Sequence, residues 1–156
     1  MDVSLEQRGT TTAGVISFAE RLEERSMSFY EGLSAKFPAH ADLFSGFARE
    51  DKLNKILVTR TYQETVTDAL ETGFSFEGLD LASMIPKEAW MDSTTLGEAL
   101  ATSLVLEHAA VQFYTDLASR SQGLLSTIYT AFNRIAGSRK KRVPKLESLS
   151  AGTSLA

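Results

Sequence analysis

Leu22-Glu23-x5-Phe29-Tyr30-x2-Leu33 returns 84 residues later as Leu106-Glu107-x5-Phe113-Tyr114-x2-Leu117. In a chain of 156 residues this is an internal repeat, and it places an acidic residue at the same point of two helices. A duplicated helical hairpin with matched inward carboxylates is the way four-helix bundles build a two-metal site. The repeat therefore raises a question of architecture and a question of chemistry.

Working outward, Val15, Ala19, Leu22, Ser26, Phe29 and Leu33 fall on one stripe at spacings of three and four, which predicts a helix from Thr12 that Pro38 closes. A second helix is expected over about 41–71, with Leu43, Phe44, Phe47, Val58 and Tyr62 inward and Gly73 at its end. Residues 72–92 keep no period and contain Gly73, Gly78 and Pro86, so they read as a connection long enough to travel the height of a bundle, with a helical turn around Leu79–Met84. Thr95-Leu96-Gly97-Glu98 reads as a capping box. The helix it opens carries Ala99, Ser103, Leu106, Ala110, Phe113 and Leu117 inward. A fourth helix over about 124–143 is expected to stop at Pro144, which lacks a backbone donor and clashes one turn back. The resulting organisation is a flexible arm over 1–11, an all-α bundle over 12–143 made of two helix pairs joined by a long crossover, and a flexible tail over 144–156. No strand signal interrupts it.

Composition narrows the function classes. A net charge of −4 gives no reason to expect a nucleic-acid partner. The run Arg139-Lys140-Lys141-Arg142 is local, and cations near a helix C-terminus are favoured by the macrodipole in any case. The absence of cysteine excludes disulfides, thiolate zinc sites, iron–sulfur centres and a catalytic thiol. No stretch matches a signal peptide or approaches the roughly 18 apolar residues of a membrane span, so a cytoplasmic protein without a membrane partner is expected.

The polar residues carry the rest. At about 100° per residue, Glu23 lies 80–100° from the centre of the first apolar stripe, on the side of Tyr30, and Glu107 repeats this beside Tyr114. Either glutamate alone would read as a boundary residue facing water. Two in the same register argue against that. On the second helix Asp51 and Asn54 fall within about 40° of Phe47 and Val58, inside the apolar stripe. Aligning Phe44-x2-Phe47-Ala48 with Phe132-x2-Ile135-Ala136 sets Arg139 opposite Asp51 and Arg142 opposite Asn54. The plain alternative is that the last turn of the fourth helix passes beyond the core and leaves its arginines in water.

On these residues the chain resembles the rubrerythrin-like branch of the ferritin-like superfamily over about residues 13–143. That resemblance implies a ferritin-like four-helix bundle, a homodimer and a carboxylate-bridged di-iron site. Glu23 and Glu107, each six residues before an aromatic pair, match the first element of the family's pattern. Where the family's second helices carry Glu-x-x-His, this chain has Asp51-x2-Asn54 and Arg139-x2-Arg142. His40 precedes the second helix and His108 points away from the core, so neither replaces the missing imidazoles.

A di-iron centre needs four acidic groups and two neutral imidazoles. Here Glu23, Asp51 and Glu107 are the metal candidates, with Asn54, Arg139 and Arg142 at the other ligand positions. Arginine offers no lone pair to a metal, and a permanent cation between carboxylates takes the place of one. The expectation is a structural or interaction module in which an arginine–carboxylate network stands where metal would be, with no cofactor and no catalytic residue. The enzyme alternative is a di-iron oxidoreductase that reduces peroxide or oxidises iron. It would need both arginines turned outward and a separate electron donor. A third reading keeps one labile divalent cation on Glu23, Asp51 and Glu107. The segment Leu146-Glu147-Ser148-Leu149-x5-Leu155 is a frayed terminus or a short docking peptide.

Overall fold

The computed structural model describes residues 11–72, 76, 79–121 and 125–155. The expected arm over 1–11 lies outside these except for Thr11. Among the described residues the chain is all-helical.

Helix α1 (Thr12–Lys36) starts where the Thr11 hydroxyl accepts from the Gly14 N–H at 3.0 Å, satisfying one of the free donors of the first turn. At its far end Phe37 donates back to the Leu33 carbonyl. Pro38, whose fixed φ suits a tight start, opens a single 3-10 turn (Pro38–His40) that leads directly into α2 (Ala41–Thr72). The α2 helix is continuous over its 32 residues. Bonds from Ser34 to Ser45, Ser26 to Asp51 and Thr59 to Glu20 follow the two helices past each other in opposite directions, so α1 and α2 form an antiparallel hairpin.

The connection out of α2 contains α3 (Leu81–Met84) and a 3-10 turn (Lys87–Trp90), with Phe76, Leu79, Leu81 and Ala89 buried. It returns to the α1–α2 turn. There the Lys36 ammonium donates to the Ser93 carbonyl, and Trp90 packs edge-on against Phe29 under the Arg25 guanidinium. Helix α4 (Leu96–Ser121) begins with the expected capping box: Glu98 N–H donates to the Thr95 hydroxyl at 3.2 Å, and the Glu98 carboxylate accepts from the Thr95 N–H at 3.1 Å. It runs antiparallel to α1, with Phe18 against Phe113 and Tyr30 reaching Glu107.

Helical structure does not stop at Pro144, where the sequence pattern places its end, but continues among the described residues to Leu155. Helix α5 (Ser126–Lys140) breaks at Lys141, and α6 (Arg142–Leu155) continues along α4 with Leu146 fully buried. Proline sits in the first turn of α6, where its missing N–H would have no partner within the new helix, so helical structure resumes after the break at Lys141. Together α5 and α6 span about the length of α2. The two hairpins meet where α2 packs on α5 and where α1 and α4 exchange side chains across the middle.

Candidate functional site

The apolar faces of the four long helices leave a polar centre at mid-height. Glu23, Asp51, Glu107 and Arg139 there are each 0% exposed, and Arg142 is 1% exposed. Charged groups are removed from water at a cost of several kcal/mol each unless they pair and use their hydrogen-bonding capacity. Here they do both.

Arg139 lies between the three carboxylates. Its Nε and Nη2 donate to Oε2 and Oε1 of Glu23 at 3.2 and 2.9 Å, and Nη1 donates to both oxygens of Glu107 at 2.8 and 2.9 Å. Nη2 also reaches Asp51 Oδ1 at 3.1 Å. One planar guanidinium thus joins α1, α2 and α4 from its seat on α5, with two of the three contacts forked. Arg142, one turn further along the chain, donates to the same Asp51 oxygen at 2.7 Å and to Glu107 Oε2 at 3.2 Å. It also meets the Phe47 carbonyl at 3.3 Å and the half-exposed Glu50 at 3.1 Å. Its guanidinium lies over the rings of Phe47 and Tyr30.

Neutral donors complete the shell. Tyr30 of α1 donates to Glu107 of α4 at 2.5 Å, and Tyr114 of α4 donates to Glu23 of α1 at 2.5 Å. The two bonds cross the centre as mirror partners of the repeat. The Ser26 hydroxyl donates to Asp51 Oδ2 at 2.6 Å, and the Asn54 amide donates to Glu23 Oε1 at 3.3 Å. The tyrosines sit in aromatic layers: Tyr30 against Phe44 and Phe47, and Tyr114 between Phe113 and Phe132.

Fully ionised, three buried carboxylates against two arginines leave one negative charge in excess. The excess shows at Asp51. Burial drives its carboxyl up to about 7, with Arg139 and Arg142 pulling downward and Glu23 and Glu107 adding repulsion. Burial also pushes Glu107 upward, but the two arginines and the Tyr30 hydroxyl outweigh it and hold Glu107 below the ordinary carboxylate value. Both tyrosine hydroxyls are raised well above that of a free phenol, first by burial and then by the carboxylates they face. They are donors throughout the physiological range.

All six residues singled out in the sequence come together, and both arginines point inward. The residues that sequence reasoning did not assign to the network are Tyr30, Tyr114, Ser26 and Glu50. Seven residues separate Glu23 from Tyr30 and Glu107 from Tyr114, which sets each pair on one line along its helix and was the available signal for the tyrosines. Phe29, expected at the centre of the first stripe, is only partly buried, and Tyr30 takes the fully buried place. The inward face of α1 is rotated toward Glu23 because the polar centre, rather than the apolar stripe alone, defines the inside.

The donor set does not fit a metal pair. The carboxylates accept from arginine, tyrosine, serine and asparagine, there is no imidazole among them, and a cation occupies the space between them. Among the described residues no group of three or more His, Asp or Glu side chains is arranged to hold an ion. Nor is any helix among them long and apolar enough to cross a membrane. Comparison with known proteins identifies no matching family model, no matching curated protein and no matching solved structure.

Proposed function

We infer that this chain is a ferritin-like four-helix bundle of the rubrerythrin type in which Arg139 stands where the family's metal pair would be, and that it works as a metal-independent structural or interaction module. One observation carries the reading: a water-inaccessible guanidinium whose three nitrogens all donate to Glu23, Asp51 and Glu107. A permanent cation cannot be displaced by metal without breaking these bonds and leaving a second positive charge nearby. Arginine also has no state in which it could ligate. The centre therefore serves as a fixed cross-link among the long helices, with chemistry limited to hydrogen bonding.

Metal analysis tests this directly. Protein from iron-supplemented cells is expected to carry no stoichiometric iron, manganese or zinc after reconstitution. Its unfolding midpoint should not move with added metal, since a ligand that binds only the native state must raise it. A content of about two metals per chain, the load of a di-iron bundle, would overturn the reading.

A further inference from the structure

The buried network leaves one negative charge without a fixed cation, since three carboxylates face two arginines. Its hydrogen bonds show where the spare capacity lies. Each oxygen of Glu23 accepts from two donors, Arg139 and Asn54 at Oε1 and Arg139 and Tyr114 at Oε2. Asp51 Oδ1 likewise accepts from Arg139 and Arg142, but Oδ2 accepts only from Ser26. A carboxylate oxygen has two acceptor positions, so Asp51 keeps one open. Glu23 and Asp51 both line a groove of about 850 Å³ between α1 and α2, a volume within the range of small-molecule sites. The Glu24–Lys55 ion pair, at 2.7 Å, joins the two helices beside them, and as an exposed pair it opens at little cost. Arg49, Lys52 and Arg60 line the same groove and enter no ion pair among the described residues. Of the lining acids outside the network and the Glu24–Lys55 pair, only Glu31 stands against these three. The mouth of the groove is therefore cationic, while its inner end has room for one more positive donor.

We propose that the groove binds a small zwitterion, an organic ammonium joined to a carboxylate by a short apolar spacer. The ammonium takes the open position on Asp51 and adds the donor and the charge that the network lacks. The carboxylate is held by Lys52 and Arg49 at the mouth. Asp51 and Lys52 are neighbours in sequence and so lie about 100° apart around α2, one buried and the other exposed. A ligand with both charges on one carbon cannot reach both groups, whereas a chain of several methylenes spans them. Met27, Ala48 and Ile56 supply apolar surface for that chain. An amine alone meets a cationic mouth, and a carboxylate alone leaves the acceptor on Asp51 unused, so either half of the ligand loses one of the two attractions. The site rests on the charge and hydrogen bonds of the network and not on its comparison with a metal pair. A metal-free chain that binds no zwitterion would overturn this proposal and leave the arginine-for-metal reading untouched.

Calorimetric titration of the full chain with 6-aminohexanoate tests this, and saturable binding of one ligand per chain is expected. Norleucine, the isomer with both charges on one carbon, should bind at least about tenfold more weakly, as should hexylamine and hexanoate, which carry one charge each. Asp51→Asn removes the negative charge and should reduce the affinity for 6-aminohexanoate to that for hexanoate. Arg49→Gln with Lys52→Gln should reduce it to that for hexylamine. Both of these side chains are exposed and outside any ion pair among the described residues, so the fold should be unaffected. Should Asp51→Asn fail to fold, the exposed pair of changes and the comparison of ligands still decide. No saturable heat up to about 10 mM, norleucine or hexanoate binding as tightly as the zwitterion, or binding indifferent to the Arg49 and Lys52 changes would each overturn the proposal.

Discussion

Truncation of Arg139 would leave Glu23 and Glu107 in a dry interior with only hydroxyl and amide donors and the more distant Arg142. Arg139→Ala is expected to lower the unfolding free energy by about 3–5 kcal/mol in urea titration, the usual cost of orphaning buried charge. A loss within the range of a surface pair would mean that the guanidinium is not enclosed. Asp51 makes a separate prediction about pH. The folded chain holds its proton more tightly than the unfolded chain, where the carboxyl titrates near 3.8, because burial lifts it to about 7 in the native state. The stabilisation linked to that proton is complete below 3.8 and is lost as pH rises through 7, a change on the order of 4 kcal/mol. Glu107 acts in the opposite sense, its contribution being present above its ordinary value and lost in acid. Unfolding free energies measured from pH 4 to 8 should therefore decline for the native chain, and Asp51→Asn should flatten the decline. The three acids and two arginines were legible because each broke an apolar period or shared a register with its counterpart. Their partners were less legible. Ser26 looks like an ordinary core position and Tyr30 like a boundary residue beside Glu23, and nothing in a hydrophobic pattern distinguishes a hydroxyl that donates from one that is merely tolerated.

At the scale of elements, start signals and stop signals differed in what they determined. Thr95 and Glu98 specify a helix start because both members of the box act within one turn, and α4 begins where they place it. Pro38 likewise marks a true turn between α1 and α2. Pro144 does not mark an end, because a proline excludes the helical bond to the residue four back while leaving the chain ahead of it free. Whether a helix resumes depends on tertiary contact, here the burial of Leu146 on a helix that packs along α4, which no local signal reports. Leu146→Ala accordingly should cost about 2–5 kcal/mol in chemical denaturation, as at other core leucines. A frayed tail would show almost no effect. Two arginines on either side of the α5–α6 break, three residues apart and so on one face, reach the same Asp51 oxygen.

Across the whole molecule, the repeat identified the two hairpins, while their antiparallel relation emerged only from contacts between them. That relation makes the tyrosine bonds cross: each hairpin's glutamate is held by the other's tyrosine. Tyr30→Phe and Tyr114→Phe should each cost about 1.5–3 kcal/mol, as expected for a hydrogen bond to a charged group. Their double variant should depart from additivity, because both carboxylates share Arg139. Equilibrium unfolding of the four proteins of this cycle checks both statements. The charges of the centre are shared out unevenly along the chain. The first hairpin supplies Glu23 and Asp51, and the second supplies Glu107 with both arginines. During synthesis the first hairpin emerges with two acids on its inner face and no cation to meet them. Two such unfinished chains repel each other at the very surface through which they would otherwise mispair, and each nascent hairpin is left open for the cationic half of its own chain.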